Sequence, residues 1–362
     1  MPPGDALPQE SCATLPVSLP STKEHPLIDL RQIQNAAERI HGKVHRTPLF
    51  SSSALGDHTR LRLHLKCENF QKTGSFKPRG ALNKVLSLSE AERARGLITV
   101  SAGNHAQAVA WAARQVGAPC AVVMPTDAPR SKLDAVRGYG ATTILHPDRA
   151  TLFDRLEQER TARGATFIHP FDDPVVLAGA GTAGLEIVED FPEIQALVVP
   201  VGGGGLLCGV ACALKAIRPK ARLIAVELEA GPGLKPALEA GKPVPVSRPA
   251  DTLADGMTPP FVGAIPLEAA REFVDEIVTV TEDEIVEAMK LLLTRAKLYV
   301  EGSGAAATAA LLAGKVRLPE NARTVAIVSG GNVDLSRLCA AVAGEDREDA
   351  AVGGRARAGR PR

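Results

Sequence analysis

Short apolar runs alternate with longer helical patterns along most of the chain after position 60. The apolar runs are rich in β-forming residues, which predicts strands. The predicted strands lie at Leu61–Lys66, Leu97–Ser101, Cys120–Met124, Thr142–Leu145, Thr166–His169, Ala196–Val201, Arg222–Glu227, Ile277–Thr279 and Thr324–Ser329. Between them, Ala- and Leu-rich stretches predict helices, of which the clearest are Ala106–Val116, Ser131–Tyr139, Leu152–Arg163, Val175–Glu189 and Leu206–Ile217.

This alternation of strand and helix predicts an α/β fold. Parallel strands need crossover connections, and helices supply them on both faces of open, mainly parallel sheets. The runs Ala196–Val201 and Val325–Val328 are apolar on both faces, as a buried parallel strand requires.

The chain has 362 residues, which is long enough for two domains. Four consecutive strand–helix units over residues 94–172 predict a small domain, and residues 28–93 and 173–345 together predict a larger one. The segments 1–27 and 346–362 are predicted to be disordered tails. The first is rich in Pro, Ser and Thr, and the second in Gly and Arg.

Composition and charge exclude several classes of protein. The net charge is +1 and aromatic residues make up 3% of the chain, so neither nucleic acid nor an acidic membrane is an expected partner. No apolar run is long enough to span a membrane. The six cysteines show no CxxC pair and no zinc spacing, which indicates reduced thiols, a cytoplasmic location and no metal site. A small molecule remains the expected partner.

Lys77 lies among Gly, Ser and Phe residues in the segment Lys66–Gly80, just after the first predicted strand. A lysine amine can form a Schiff base with a carbonyl cofactor, of which pyridoxal phosphate is the best-known example. The segment alone is also consistent with a solvated basic loop, and few single lysines are catalytic. The interpretation therefore depends on three other segments.

The first of these is a run of four glycines, Gly202–Gly205, which follows a buried strand and opens a helix. Glycines let the backbone approach a ligand closely, and N–H groups at a helix N-terminus favour an anion. This pattern predicts a phosphate site. A dinucleotide site is the alternative, since Glu227 ends the next strand, but Leu207 occupies the third glycine position of that fingerprint.

The other two segments are turns at the ends of predicted strands. In Ser101–His105, backbone N–H groups can bind a carboxylate, and the Asn104 side chain can donate to a phenolate-like oxygen. Ser329 places a hydroxyl at the carboxyl end of a strand, where ligands bind in open α/β sheets. An ordinary helix cap and an ordinary turn serine are the alternatives.

Together these four segments resemble the pyridoxal-phosphate-dependent threonine/serine dehydratases, a family that also includes serine racemases. The resemblance runs from about Arg46 to Leu335 with the segments in the family's order. It implies the two-domain fold of the tryptophan-synthase-β type, called fold type II. It also implies a homo-oligomer, either a dimer or a tetramer.

The resemblance implies a role for each site residue. Lys77 would form the Schiff base, Phe76 would pack beside the cofactor ring, and Asn104 would bind its 3′-oxygen. Ser329 would bind the pyridine nitrogen. The cofactor phosphate would be bound by Gly202, Gly203, Gly204 and Gly205. The substrate carboxylate would be bound by the turn that contains Ser101, Ala102, Gly103 and His105.

The implied reaction is β-elimination of L-threonine or L-serine, or both, to 2-oxobutanoate or pyruvate and ammonia. Within the same cofactor class, serine racemase and 3-hydroxyaspartate dehydratase are alternatives, and a non-catalytic cofactor-binding protein is the alternative from another class. Racemases of the family carry a second serine where this chain has Ala102, which has no proton to give. Glu227 matches a metal ligand of the racemases, but the Asp expected six residues later is Gly233.

Overall fold

The computed structural model describes residues 27–247, 249 and 251–343. Its strands are β1 (Leu49–Ser51), β2 (Arg62–Cys67), β3 (Leu97–Val100), β4 (Cys120–Pro125), β5 (Thr142–His146), β6 (Thr166–Phe167), β7 (Ala196–Pro200), β8 (Arg222–Leu228), β9 (Glu276–Val280) and β10 (Arg323–Val328). Its helices are α1 (Leu30–Ile40), α2 (Ser53–Thr59), α3 (Lys77–Ser87), α4 (Glu90–Arg95), α5 (Asn104–Gln115), α6 (Arg130–Gly138), α7 (Leu152–Arg163), α8 (Pro174–Asp190), α9 (Gly205–Ile217), α10 (Leu234–Ala240), α11 (Ala264–Phe273), α12 (Glu282–Leu291), α13 (Gly302–Leu312) and α14 (Leu335–Ala343).

The strands form two sheets. The larger has the order β1-β2-β10-β7-β8-β9 and the smaller has the order β5-β4-β3-β6. Every strand pair is parallel except β1–β2. The predicted α/β class with mainly parallel sheets is therefore confirmed.

Each predicted strand is present within a few residues of its predicted ends, and β1 is the strand that the sequence pattern did not indicate. It has three residues and lies at the edge of the larger sheet, and two of its three residues are exposed. A short exposed edge strand shows neither alternation nor a continuous apolar run, so its sequence carries little signal.

Helices cover both faces of the larger sheet. Alternate side chains of β7 point to opposite faces: Leu197 and Val199 pack with α8, α9 and α11, whereas Ala196 and Val198 pack with α12 and α13. Helices α5 and α6 pack on one face of the smaller sheet and α7 on the other. The carboxyl ends of the parallel strands lead into the loops that form the site.

The smaller sheet is built from residues 97–167, and the larger sheet from the chain on both sides of that stretch. The domain borders themselves stay a prediction. Apart from Leu27, which packs against the cluster around α1 and α8, the predicted tails 1–27 and 346–362 lie outside the described residues. In the described part of the chain, no helix is long and apolar enough to cross a membrane.

Candidate active site

Lys77 is the first residue of α3 and is positioned by local sequence and by contacts with distant segments. Pro78 follows it, and proline suits the first turn of a helix because its φ is already helical. The Phe76 N–H donates to the carbonyl of Ser329 at 3.1 Å. The Lys77 amine donates to the Pro170 carbonyl at 2.8 Å and lies 5.0 Å from the centre of the Phe76 ring.

Burial changes the acidity of this amine. Loss of solvent around the ammonium lowers the pKa of Lys77 to about 8 from its ordinary value of 10.5. The residue as a whole is half-buried. More of the amine is therefore neutral near neutral pH, as a nucleophile or a base must be.

A buried ionic network lies next to Lys77. Arg79, which is 0% exposed, binds both carboxylate oxygens of Glu68 at 2.8 Å. It also binds both oxygens of Glu186, at 2.7 and 2.8 Å, and Lys66 reaches Glu186 at 2.6 Å. Two cations face two anions, so the network is neutral and ties the first turn of α3 to β2 and α8.

The glycine run Gly202–Gly205 connects β7 to α9 and allows very close packing. Gly204 has φ +84°, a conformation that favours glycine. A Cβ atom on Gly203 would lie 2.3 Å from the ring of Phe171, and one on Gly204 would lie 2.5 Å from Pro266. Residues larger than glycine are therefore excluded from these two positions. The N–H groups in the first turn of α9 lack intrahelical partners and are available to a ligand.

The turn Ser101–His105 joins β3 to α5. The Ser101 hydroxyl accepts a hydrogen bond from the Gly103 N–H at 3.1 Å. A Cβ atom on Gly103 would meet no atom within 4 Å, so this part of the turn is open. Ala102 is half-buried beside the core under α5.

His105 has a structural contact in addition to its predicted place at the substrate. Its Nε2 atom lies 3.0 Å from the Ile168 carbonyl. Burial, together with the nearby charge of Lys77, lowers the pKa of His105 to about 3. The ring is therefore neutral at physiological pH.

Hydrogen bonds link Ser329 and, through Asn332, Asn104 to the segment that precedes Lys77. The buried Ser329 hydroxyl donates to the Ser303 carbonyl at 3.2 Å. The Asn104 side chain donates to Glu301 at 2.7 Å. Burial, together with nearby Asp255, raises the pKa of Glu301 to about 8. Glu301 is therefore in direct contact with a predicted site residue, Asn104.

The loop His169–Asp173 was not singled out from the sequence, although it touches several parts of the site. Pro170 accepts from Lys77, and Phe171 packs against Gly203. Asp172 accepts two N–H bonds at the start of α11, both at 3.0 Å. The sequence feature that could have indicated this loop is a cluster of polar and aromatic residues at the end of a predicted strand.

Comparisons with known proteins agree with this geometry. A family model described as pyridoxal-phosphate dependent enzyme matches residues 40–330. The chain belongs to this family. It is 45% identical over 320 residues to an L-threonine ammonia-lyase of Thermotoga maritima, with 86% of this chain and 77% of that protein covered.

Two further relatives show how much of the chain is shared. The catabolic L-threonine dehydratase TdcB of Escherichia coli K12 is 43% identical over 317 residues, which covers 86% of this chain and 95% of that protein. The structure of maize serine racemase superposes with a TM-score of 0.82 at 37% identity, and covers 88% of this chain and 98% of that one. The predicted family and fold type II are confirmed.

Several observations fit pyridoxal phosphate at this site. Thr73 Oγ1, Ser75 Oγ and His105 Nδ1 are buried and have no hydrogen-bond partner in the described part of the chain. A bound polar group would give these atoms a hydrogen-bond partner. Lys77 supplies an amine of lowered pKa, and the start of α9 suits a phosphate. The individual roles of the site residues stay predictions.

Glu227 has a structural role among the described residues. Its carboxylate accepts the backbone N–H groups of Gly233, Leu234 and Lys235 at 2.7, 2.5 and 3.1 Å. It thus caps the start of α10. Among residues 27–247, 249 and 251–343, no group of three or more His, Cys, Asp or Glu side chains is arranged to hold a metal ion.

Proposed function

We propose that this protein is a pyridoxal-phosphate-dependent lyase that dehydrates and deaminates L-threonine, L-serine or both. The observation that carries the proposal is the Lys77 amine of lowered pKa. The segment before it is joined by hydrogen bonds to Ser329 and, through Asn332, to Asn104. The names of the relatives from Thermotoga maritima and Escherichia coli support threonine as a substrate. The products would be 2-oxobutanoate or pyruvate, with ammonia.

The residues of this chain would divide the work as follows. The N–H groups at the start of α9 bind the cofactor phosphate, and the turn Ser101–His105 binds the substrate carboxylate. Bound pyridoxal phosphate supplies an electron sink for charge released at the substrate Cα. The Lys77 amine removes the Cα proton, which its lowered pKa permits near neutral pH. Ser329 offers a neutral hydroxyl rather than a carboxylate to the pyridine nitrogen.

Ala102 supports elimination over racemisation. Racemisation needs a second acid–base group on the face of the substrate opposite the lysine. Ala102 carries no proton-donating group at the position where a serine stands in the racemases. The likeness to maize serine racemase makes this alternative worth testing, even though the chain lacks that serine.

The experiment that tests the function is a 2-keto acid release assay. The purified enzyme would be loaded with pyridoxal phosphate and given L-threonine, L-serine and both diastereomers of 3-hydroxyaspartate. We expect turnover of L-threonine or L-serine. Turnover of 3-hydroxyaspartate alone would favour the second dehydratase, and turnover of none would favour a non-catalytic binding protein. Chiral analysis of the serine that remains after incubation with L-serine tests the racemase alternative. Substantial D-serine would contradict elimination as the main reaction.

The same proposal includes a homo-oligomer in the cytoplasm. Phe50 and Phe70 form an edge-to-face pair and are 47% and 48% exposed, while Leu335 is 65% exposed. Asn69 beside Phe70 bonds the Tyr299 carbonyl, so Phe50, Phe70 and Tyr299 lie close together at the edge strand β1. Exposed apolar surface at a sheet edge suits contact with a second copy. Analytical ultracentrifugation of the purified protein would show a dimer or tetramer, and a monomer would contradict it.

A further inference from the structure

Asn104 is held by two other side chains. Its Nδ2 atom donates to Glu301 Oε1 at 2.7 Å, and its Oδ1 atom accepts from Asn332 Nδ2 at 2.8 Å. Asn332 Nδ2 also donates to the backbone carbonyl of Thr73 at 2.7 Å. We call these four groups, from the Thr73 carbonyl through Asn332 and Asn104 to Glu301, the amide relay.

The Thr73 carbonyl sets the direction of the amide relay. A carbonyl oxygen only accepts hydrogen bonds, so the amide atom of Asn332 that faces it must be the nitrogen. The same nitrogen faces Asn104 and requires the amide oxygen of Asn104 on that side. The Asn104 nitrogen therefore faces Glu301, and one of its two N–H groups remains for another acceptor.

The local backbone brings the relay together. Thr73 and Gly74 both have positive φ, +58° and +75°. A Cβ atom on Gly74 would lie 2.5 Å from Asn332 Oδ1, so a side chain there would displace Asn332. The Gly331 N–H donates to the Gly74 carbonyl at 2.8 Å. The segment before Lys77 and the segment after Ser329 are thus held in register.

Glu301 forms the other end of the relay. It is 3% exposed, stands at the start of α13, and is held by its backbone N–H to the Gly330 carbonyl at 3.2 Å. Its carboxyl oxygen accepts from Asn104 whether the group is neutral or ionised, and burial raises its pKa to about 8. The relay is therefore closed at both ends by groups with fixed positions.

We propose that Asn332 and Glu301 are positioning residues that hold Asn104 as a hydrogen-bond donor to the cofactor. The inference rests on the proposed function, in which Asn104 contacts bound pyridoxal phosphate. With its oxygen held by Asn332, Asn104 turns its remaining N–H toward an oxygen acceptor. Asn332 and Glu301 act through Asn104 and need not touch the cofactor.

The decisive variant is Asn332→Asp, which has nearly the same shape but no N–H group. It places carboxylate oxygens against the Thr73 carbonyl and Asn104 Oδ1, so the Asn104 amide must rotate or move. The measurement is a titration of the cofactor-free protein with pyridoxal phosphate, followed by visible absorption. We expect the dissociation constant to rise on the order of tenfold or more, with the absorption of the bound cofactor shifted.

The control is the same substitution in an Asn104→Ala background. If Asn332 acts through Asn104, Asn332→Asp changes the dissociation constant less than about twofold there. An equal rise in the dissociation constant in both backgrounds would mean a structural role and would overturn the inference. An unchanged dissociation constant for Asn332→Asp in the wild-type background would also overturn it. Failure of the wild-type protein to bind the cofactor at all would instead contradict the proposed function.

Glu301 gives an independent pair of variants if Asn332→Asp does not fold. Glu301→Gln keeps an oxygen that can accept from Asn104, whereas Glu301→Ala removes it. We expect the glutamine variant to retain the cofactor affinity within about threefold and the alanine variant to lose on the order of tenfold. Equal affinities for the two variants would contradict the positioning role.

Discussion

Lys77 shows how burial changes the chemistry of a single side chain. Its ammonium end is desolvated, and its acceptor is the uncharged Pro170 carbonyl. Among the described residues it forms no ion pair. Desolvation disfavours the charged form of the amine. Near pH 8 a much larger fraction of Lys77 is therefore neutral than of an exposed lysine.

This property predicts how the cofactor-free protein captures pyridoxal phosphate. The rate constant should rise with pH and level off above about 8, because the neutral amine attacks and the pKa of Lys77 is about 8. Stopped-flow absorbance measures the rate, and the amine of free N-acetyllysine is the control. A rate that continues to rise steeply through the ordinary lysine pKa would contradict the lowered value.

His105 predicts a pH effect on stability. Its pKa is lowered from 6.5 to about 3 by burial, so between these values the unfolded chain binds more protons than the folded one. Stability should therefore fall as the pH drops from 6.5 toward 3, by at most about 1.4 kcal/mol per pH unit. His105→Gln removes this titration.

The measurement is urea unfolding at about pH 7 and about pH 5. The loss of unfolding free energy between the two should be about 2 kcal/mol smaller in His105→Gln than in the wild type. An equal loss in both proteins would mean that His105 titrates normally in the folded state.

The elements around the site are held together by close backbone packing and by buried charge. The small size of the glycine run lets Phe171 pack against the start of α9. The ionic network around Arg79 joins α3 to β2 and α8. Both arrangements tolerate little change in volume or charge.

The glycine run predicts the effect of Gly203→Ala. The added methyl group would lie 2.3 Å from the Phe171 ring and must displace it. We expect a loss of about 1–3 kcal/mol in the free energy of unfolding and, because Pro170 beside Phe171 bonds Lys77, weaker cofactor binding. The matched control is Gly138→Ala, where the new Cβ meets no atom within 4 Å. Equal stabilities of the two variants would contradict this packing.

The ionic network predicts a recovery by a second substitution. Arg79→Met leaves Glu68 and Glu186 with Lys66 as their only cation in the network, and should cost about 3–5 kcal/mol of stability. Adding Glu68→Gln removes the excess negative charge, so the double variant should be more stable than Arg79→Met by more than about 1 kcal/mol. Thermal unfolding of both variants is the measurement. A double variant less stable than Arg79→Met would show that charge balance does not stabilise the network.

At the scale of the whole molecule, the site lies where the two sheets meet. Asn104, at the end of a strand of the smaller sheet, bonds Glu301 and Asn332, which follow in the part of the chain that forms the larger sheet. Lys132 in α6 pairs with Asp255 across the same boundary. Relative movement of the two sheets would therefore change the site directly.

The sequence predicted the buried strands of this arrangement, but not the side-chain contacts that join distant site segments. Strands such as β7 and β10 are apolar on both faces, so their position and burial could be inferred from pattern alone. The pairing of Asn104 with Glu301 and Asn332 joins residues about 200 positions apart. Contacts at that separation leave no local periodicity, so they required the structure.

The central claim is that Lys77 carries the cofactor. The most direct measurement is borohydride reduction of the purified, cofactor-loaded protein, followed by proteolysis and mass spectrometry. We predict one reduced pyridoxyl group, located on the peptide that contains Lys77, and none in Lys77→Ala. A reduced group on another lysine, or no reduced group in the wild-type protein, would contradict the account.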